Sequence, residues 1–391
     1  MAPGSRDGAD VVVVGAGAVG CAVAAELARE VRVTVVERDR IGGGATGRSA
    51  GQVTIVPAYS DYPAAASVAM AFFREHSGTG GFAFHERESV EFVPPDRLGE
   101  ARRRAARLAD QGLATDFVGR VDAETRYPMF DLADYVGLVR HSEAGYLDPG
   151  QLVSLLAGQA RRRGATFEIG TTVTGIAFED GRVVGVETDA GPVAADVVVL
   201  AAGWGTPQLL PAGVSLPVRP YRTQAVVLQM PARRDWRAAL PMGWLPEERV
   251  YFRPMGRDRV LVGGFADPID EPGAVSRDAD PTFRRHVAEL VPRLFADPEG
   301  TALVDGWAGV DLATPDTRPI IDRPVGGPSG LLAATGFHGR GVMTAPVAGQ
   351  AAAARLLGGG APFPLEPFDA DRFEDAIPEF PFFSTSSGQE R

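Results

Sequence analysis

The chain contains no lysine; every one of its 39 basic residues is arginine. Lysine Schiff bases, a lysine general base and a lysine cation for activating oxygen are therefore excluded. A single cysteine, Cys21, rules out an intramolecular disulfide and a cysteine-based zinc site. It lies among small apolar residues at helical spacing and reads as a buried core residue. No run of ~18 uninterrupted apolar residues occurs. The opening MAPGSRDGAD lacks the apolar stretch of a secretory signal, so a cytoplasmic protein with no membrane partner is expected. An excess of positive charge is missing as well: the net charge of −11 argues against nucleic acid or an anionic membrane as partner. The 391 residues exceed one simple core, so two domains are expected.

What is present begins at once. Residues 10–14 are short, continuous and β-branched, the pattern of a buried parallel strand. They run into Gly15-Ala16-Gly17-Ala18-Val19-Gly20, a G-x-G-x-x-G turn. Gly15 permits the tight turn, Gly17 lets backbone approach a pyrophosphate, and Gly20 lets a helix at about 19–29 pack on the strand. The helix N-terminus offers N–H groups and a favourable dipole to a diphosphate, with Ala18 at its start. A second strand, 31–36, ends at Glu37, whose carboxylate can accept ribose hydroxyls. Strand, turn, helix, strand and acid in this order predict a dinucleotide site. The acid favours NAD or FAD over NADP.

Immediately beyond Glu37 comes RDRIGGGATGRSAGQVT, residues 38–54, a second flexible polar loop. An NAD enzyme proceeds from the acid into another helix–strand unit. A loop able to run along a ribityl chain to an isoalloxazine ring fits FAD better. This loop resembles that of the D-amino-acid oxidase superfamily of FAD enzymes, within it the sarcosine oxidase β-subunit and glycine oxidase-like amine oxidases. The likeness continues through DVVVLAAGWGTPQL (196–209), GWAGVDLATPDTRPIID (306–322), GLLAATGFHGRGVMTAPVAGQAAAARLL (330–357) and EPFDADRF (366–373), and so covers nearly the whole chain.

The resemblance implies an α/β fold: a Rossmann-like FAD-binding domain of the GR2 type and a second α+β substrate domain on a mainly antiparallel sheet. It implies FAD contacts from Arg38, Gly44, Ala45, Thr46, Arg48 and Ser49, from the backbone of Val173, and from Ala202, Gly203 and Trp204. It adds Gly336, His338, Gly339, Arg340 and Gly341, where a strand at 331–335 turns into an alanine-rich helix at 342–357. The dipole of that helix would face the flavin pyrimidine edge. The cysteine that holds flavin covalently in monomeric sarcosine oxidases falls near Gly309 here, so FAD is expected to be non-covalent.

The FAD-binding domain is expected to be discontinuous, at 1–83, 147–216 and 306–391, with the substrate domain at 84–146 and 217–305. A helix starts at Pro149, and Asp180-Gly181 reads as a hairpin turn. Strands are expected at 222–230, 249–254 and 259–265, followed by a segment that turns amphipathic before Phe295. The first nine residues and the tail after Pro381 are expected to be mobile.

In this family a neutral amine gives its α-hydrogen as hydride to flavin N5, the imine hydrolyses, and the electrons pass to O2 or another acceptor. A small-molecule amine or amino acid is the expected partner, and no metal is required. Arg48 would stabilise the reduced flavin or the peroxide, or else contact phosphate. His338 would tune the ring or relay protons, or only form the turn. Tyr251 and Arg253 share a strand face and would suit a carboxylate, with Arg222 as a second candidate; the alternative for each is a solvated strand residue. Enzymes of the glycine oxidase type place a carboxylate-binding arginine ahead of the T-x-D stretch, where this chain has Asp311. Asp311 would attract a cationic amine or bond nearby backbone. Two readings stay open: an oxidase making hydrogen peroxide, and a dehydrogenase serving another acceptor or a partner subunit. A flavin-binding protein without turnover and an aromatic monooxygenase stand behind them, the latter lacking its Gly-Asp signature.

Overall fold

A computed structural model describes residues 9–54, 62–231, 240–373 and 379–380. The ends read above as mobile lie almost wholly outside the described residues. Five strands run parallel, in the spatial order Thr166–Ile169, Val33–Glu37, Ala9–Val14, Val193–Leu200, Leu331–Thr335. Their centre is buried on both sides: Val12, Val13, Val35, Val198, Val199 and Leu200 have no exposed surface. That is why these strands read as unbroken apolar runs rather than alternating ones. Ile320–Asp322 adds antiparallel to the last strand. The hairpin Val173–Glu179/Arg182–Thr188 joins at Val193–Ala194, and its two-residue turn, Asp180-Gly181, has both φ angles positive.

The helices Ala18–Leu27, Pro149–Arg162 and Gly341–Leu357 lie together against this sheet. The opening helix ends at Leu27, earlier than the pattern at 19–29 implies; Val31 still donates its N–H back to Leu27 O, and the second strand accordingly begins at Val33. The opening and closing helices approach through small residues. A Cβ on Gly349 would fall 2.7 Å from the carbonyl oxygen of Ala22, so the two backbones nearly touch there. This contact between the two ends of the chain sets both helix N-termini, 17–19 and 341–343, against one cavity.

The second sheet has eight strands, in the order Ala302–Ala313, Arg219–Gln229, Arg259–Pro268, Val250–Met255, Met242–Leu245, Ser89–Val93, Gly137–His141, Thr115–Gly119. All pairings are antiparallel except Met242–Leu245 with Ser89–Val93. The amphipathic segment forms the helix Pro281–Leu294, which buries Phe283, Val287, Leu290 and Leu294 on one face with Val226, Phe252 and Val262. By the two-residue alternation of strands, the other face is left for the site. Tyr251, Trp244 and Glu91 stand side by side on it, as cross-strand partners. No helix among the described residues is long and apolar enough to cross a membrane, and none of their His, Cys, Asp or Glu residues gather into a group able to hold a metal.

Candidate active site

A cavity of about 980 Å³ opens between the carboxyl ends of the parallel strands and the inner face of the antiparallel sheet. This is where open α/β sheets bind ligands, and the volume is at the top of the usual range. At its first end, Gly15 has φ +102°, and a Cβ there would lie 2.5 Å from Ala201 O, so only glycine fits. Gly17 brings no capping side chain of its own to the opening helix, but Thr46 Oγ1 accepts from the Ala18 N–H at 3.0 Å and fixes the second loop to it. Glu37 accepts from the Ala16 and Asp39 N–H groups, each at 2.8 Å, which holds its carboxylate at the strand end. The Arg38 guanidinium lies over the Trp204 ring, 5.4 Å from its centroid.

Gly44, Ala45, Ser49, Val173, Ala202 and Gly203 also border the cavity. So does Arg48, but its Nη1 donates to the carbonyls of Gly43 and Gly44 at 2.7 and 2.9 Å, and its own carbonyl accepts from Trp307 Nε1. Arg48 therefore braces the glycine loop. Burial and the charges of Arg277 and Arg40 hold its pKa below the ordinary value. Gly20 does not reach the cavity; its place is beneath the turn, against Gly15 O.

The second turn closes the other end. Gly336, His338, Gly339, Arg340 and Gly341 all border the cavity, and the closing helix too has no side-chain cap. Asp311 holds this turn. Its Oδ2 accepts from the Gly339 N–H at 2.6 Å and its Oδ1 from the Leu312 N–H at 2.8 Å; it is also hydrogen-bonded to Tyr221. Of the two roles expected for Asp311, bonding to nearby backbone is the one the geometry shows. Burial raises its pKa, and the two N–H groups work against that rise. Arg340 donates to Thr317 and ties the turn to the T-P-D loop. The C-terminal motif docks on the same loop: Arg372 pairs with Asp316 at 2.8 Å and donates to Arg318 O.

His338, at φ +48°, is pushed down to about 3, by burial first and then by the charge of Arg340. The imidazole is neutral near pH 7 and a weak base. An unfolded histidine protonates near 6.5, so the stability gained by keeping His338 neutral is complete above that pH. It drains as pH falls from about 6.5 toward 3. His338→Gln is expected to flatten that part of an acid-unfolding curve; a curve parallel to the wild type's over this window would contradict the assignment.

The cap residues divide. Tyr251 borders the cavity, its ring lying over Gly263, and burial pushes its hydroxyl up to about 12. Arg253, expected beside it as a carboxylate anchor, does not border the cavity. Its guanidinium donates to Ala50 O and Pro254 O and lies over the Tyr146 ring. Arg222 is likewise consumed: it pairs with Asp280 at 2.7 and 3.0 Å and donates to the carbonyls of Ser276 and Asp278. Both arginines are buried and hydrogen-bonded, Arg222 through every guanidinium nitrogen and Arg253 through Nε and Nη1, and neither borders the cavity. Arg222→Ala is expected to cost about 1–2 kcal/mol of stability: the half-exposed Asp280 keeps Gln224 and solvent, so the loss falls mainly on the carbonyls of Ser276 and Asp278. Urea unfolding measures this, and substrate KM should stay unchanged.

Sequence reasoning passed over Gln52, Tyr221, Trp244, Arg249, Phe265 and the group Glu91, Arg104, Arg107, His141, all of which border the cavity. Period-2 alternation extended from Tyr251 to its cross-strand neighbours would have found Trp244 and Glu91. Arg104 and Arg107 come from the separate helix Leu98–Asp110, and nothing local signals their approach.

Comparison with known proteins agrees with this geometry. The model of the FAD-dependent oxidoreductase family, DAO, matches residues 10–355. Glycine oxidase of Pseudomonas putida is 30% identical over 351 residues, covering 87% of this chain and 92% of that protein. Human mitochondrial sarcosine dehydrogenase is 27% identical over 402 residues, 95% of this chain but 42% of that protein. Among solved structures, L-proline dehydrogenase from P. horikoshii superposes with a TM-score of 0.86 at 24% identity, over 96% of this chain and all of that one. Glycine oxidase from Geobacillus kaustophilus superposes with a TM-score of 0.82 at 23% identity, over 93% and 98%.

Proposed function

The chain belongs to the FAD-dependent oxidoreductase family, and on that premise we propose that it removes a hydride from the C–N carbon of an amine or amino acid. The product is an imine, and dioxygen takes the electrons as hydrogen peroxide. The observation that carries this reading is the convergence of two helix N-termini and two glycine-rich turns on one cavity, beneath an aromatic wall of Tyr221, Trp244, Tyr251 and Phe265.

Bound FAD supplies the two-electron acceptor. The residues present fit it. The opening turn and the helix N-terminus at Gly17 suit a diphosphate, Glu37 suits a ribose, and the closing helix suits the edge of a ring that gains negative charge on reduction. No cysteine borders the cavity; Cys21 is buried with its thiol toward Ala16 O at 3.5 Å, which supports a non-covalent cofactor.

The chain's own contribution is orientation and exclusion of water. Tyr251 keeps its proton near pH 7 and so donates to a substrate oxygen. Tyr221, held by Asp311, packs 5.4 Å from the His338 ring and backs the turn. His338 is too weak a base to deprotonate an ammonium group, and a substrate that arrives as the neutral amine needs no such base. A different electron acceptor is the second reading, favoured by the absence of any lysine and by dehydrogenases among the relatives. An amine panel under argon, followed by mixing with air, separates them. Bleaching with stoichiometric peroxide supports the oxidase, and bleaching with slow reoxidation and no peroxide supports the dehydrogenase. Failure of every amine to bleach the flavin removes both.

A further inference from the structure

Among the described residues, six arginines border the cavity: Arg38, Arg48, Arg104, Arg107, Arg249 and Arg340. Four are committed. Arg38 lies over Trp204 beside Asp39, and Arg48 braces the glycine loop. Arg104 pairs with Glu91, and Arg340 holds Thr317. The other two are available. The guanidinium of Arg107 meets no ion-pair or hydrogen-bond partner among the described residues; that of Arg249 lies over the Phe265 ring with Asp267 at 3.9 Å, which leaves its N–H fork open to a ligand.

Arg249 is held at the cavity wall by unusual backbone. It closes the turn before Val250–Met255, donating its N–H to Pro246 O at 3.1 Å. Its φ is +56°, and that of Phe265, whose N–H donates to Arg249 O, is +52°. Two bonded non-glycine residues in the left-handed region are costly, and such strain gathers at ligand sites. The arrangement sets the Arg249 guanidinium over the Phe265 ring, 5.4 Å from its centroid. Arg107 stands at the far end, three residues along its helix from Arg104 and so on the same side. Between them the wall runs from the strand of Tyr251 through Trp244 to Glu91, two inter-strand steps or roughly 10 Å. Trp244 is 37% exposed, an indole left open on the wall of this arm. At the far end Glu91 offsets one of the two charges of Arg104 and Arg107, which leaves a net positive charge.

We propose that this arm of the cavity receives a substrate with two carboxylates, one on Arg249 and the other at Arg107, with the connecting chain lying across Trp244. The inference rests on the amine-oxidising reading and narrows it to amino acids whose side chain or N-substituent ends in an acid. Guanidinium forks match carboxylates bidentately, and a monoacid of equal length forfeits one of the two contacts.

The test is calorimetric binding of adipate and hexanoate, unreactive probes of equal chain length, to the FAD-loaded protein and to Arg107→Gln and Arg249→Asn. Asparagine is chosen at 249 because it tolerates positive φ. Adipate is expected to bind roughly tenfold tighter than hexanoate, the worth of one charge-assisted contact, and each variant is expected to lose most of that advantage. Equal affinity of the two acids, no binding of either, or an advantage unchanged in Arg107→Gln overturns the proposal. If Arg249→Asn does not fold, Arg107→Gln on its exposed helix decides alone. The two levels fail separately. An adipate preference in a protein that no amine bleaches keeps the two-cation site and removes amine oxidation. Bleaching by amines without an adipate preference does the reverse.

Discussion

Gly20→Ala is expected to yield a protein that purifies with less than about a tenth of the wild type's FAD. The reason is a single contact. A Cβ on Gly20 would lie 1.9 Å from the carbonyl oxygen of Gly15, inside any permitted separation. Gly15 cannot yield, because its own backbone is pressed against Ala201 O and its φ of +102° is available only to glycine. The opening helix must therefore lift from the strand, and its first N–H groups move away from the diphosphate they would hold. Overpacking of this kind costs about 1–3 kcal/mol or more, and each 1.4 kcal/mol is about tenfold in affinity. The flavin absorbance of the purified variant relative to its protein absorbance reports the outcome. Cys21→Ala, one position further along the same helix and equally buried, is the control: it removes a sulfur without adding a clash. A Gly20→Ala protein fully loaded with flavin would show that the turn does not carry the cofactor.

Asp311→Ala is expected to slow anaerobic bleaching by substrate about 100-fold while the protein still purifies yellow. The carboxylate takes the Gly339 and Leu312 N–H groups and is bonded to Tyr221, so it joins the edge strand of the antiparallel sheet to the turn that opens the closing helix. Hydrogen bonds to a charged group are worth about 1.5–3 kcal/mol each, and losing about 3 kcal/mol of positioning corresponds to about 100-fold in rate. The diphosphate end of the cavity is untouched, which is why cofactor retention separates this variant from Gly20→Ala. A bleaching rate within about threefold of wild type would mean that the turn holds its shape without the clasp.

The parallel sheet was legible because its chemistry is local. Four valines, three glycines at fixed spacing and Glu37 follow one another within 30 residues, and each part has one physical reason. The second turn, 336–341, was legible as a glycine-rich strand-to-helix turn, while its place opposite the first came only from the resemblance. The cap was less so. Arg222 and Arg253 look like exposed strand cations in sequence, because nothing in their neighbourhood announces that Asp280 or the Ala50 carbonyl will fold onto them. Those partners lie 58 and 203 residues away. Arg249 was hidden by the opposite effect: it sits at the mouth of a strand, in a turn that favours glycine, and only its positive φ marks it. Asp311 carried a signal, an acid where the resemblance implies an arginine, but its role depended on which backbone it would meet.

The most direct measurement is a titration of flavin-stripped protein with FAD, followed by protein fluorescence and by the visible flavin band. The account predicts uptake of a single FAD per chain, with the flavin band restored and NAD unable to compete. A protein that takes up no FAD, or that binds NAD in its place, would contradict the claim that the two glycine-rich turns, one near each end of the chain, close on one flavin cofactor.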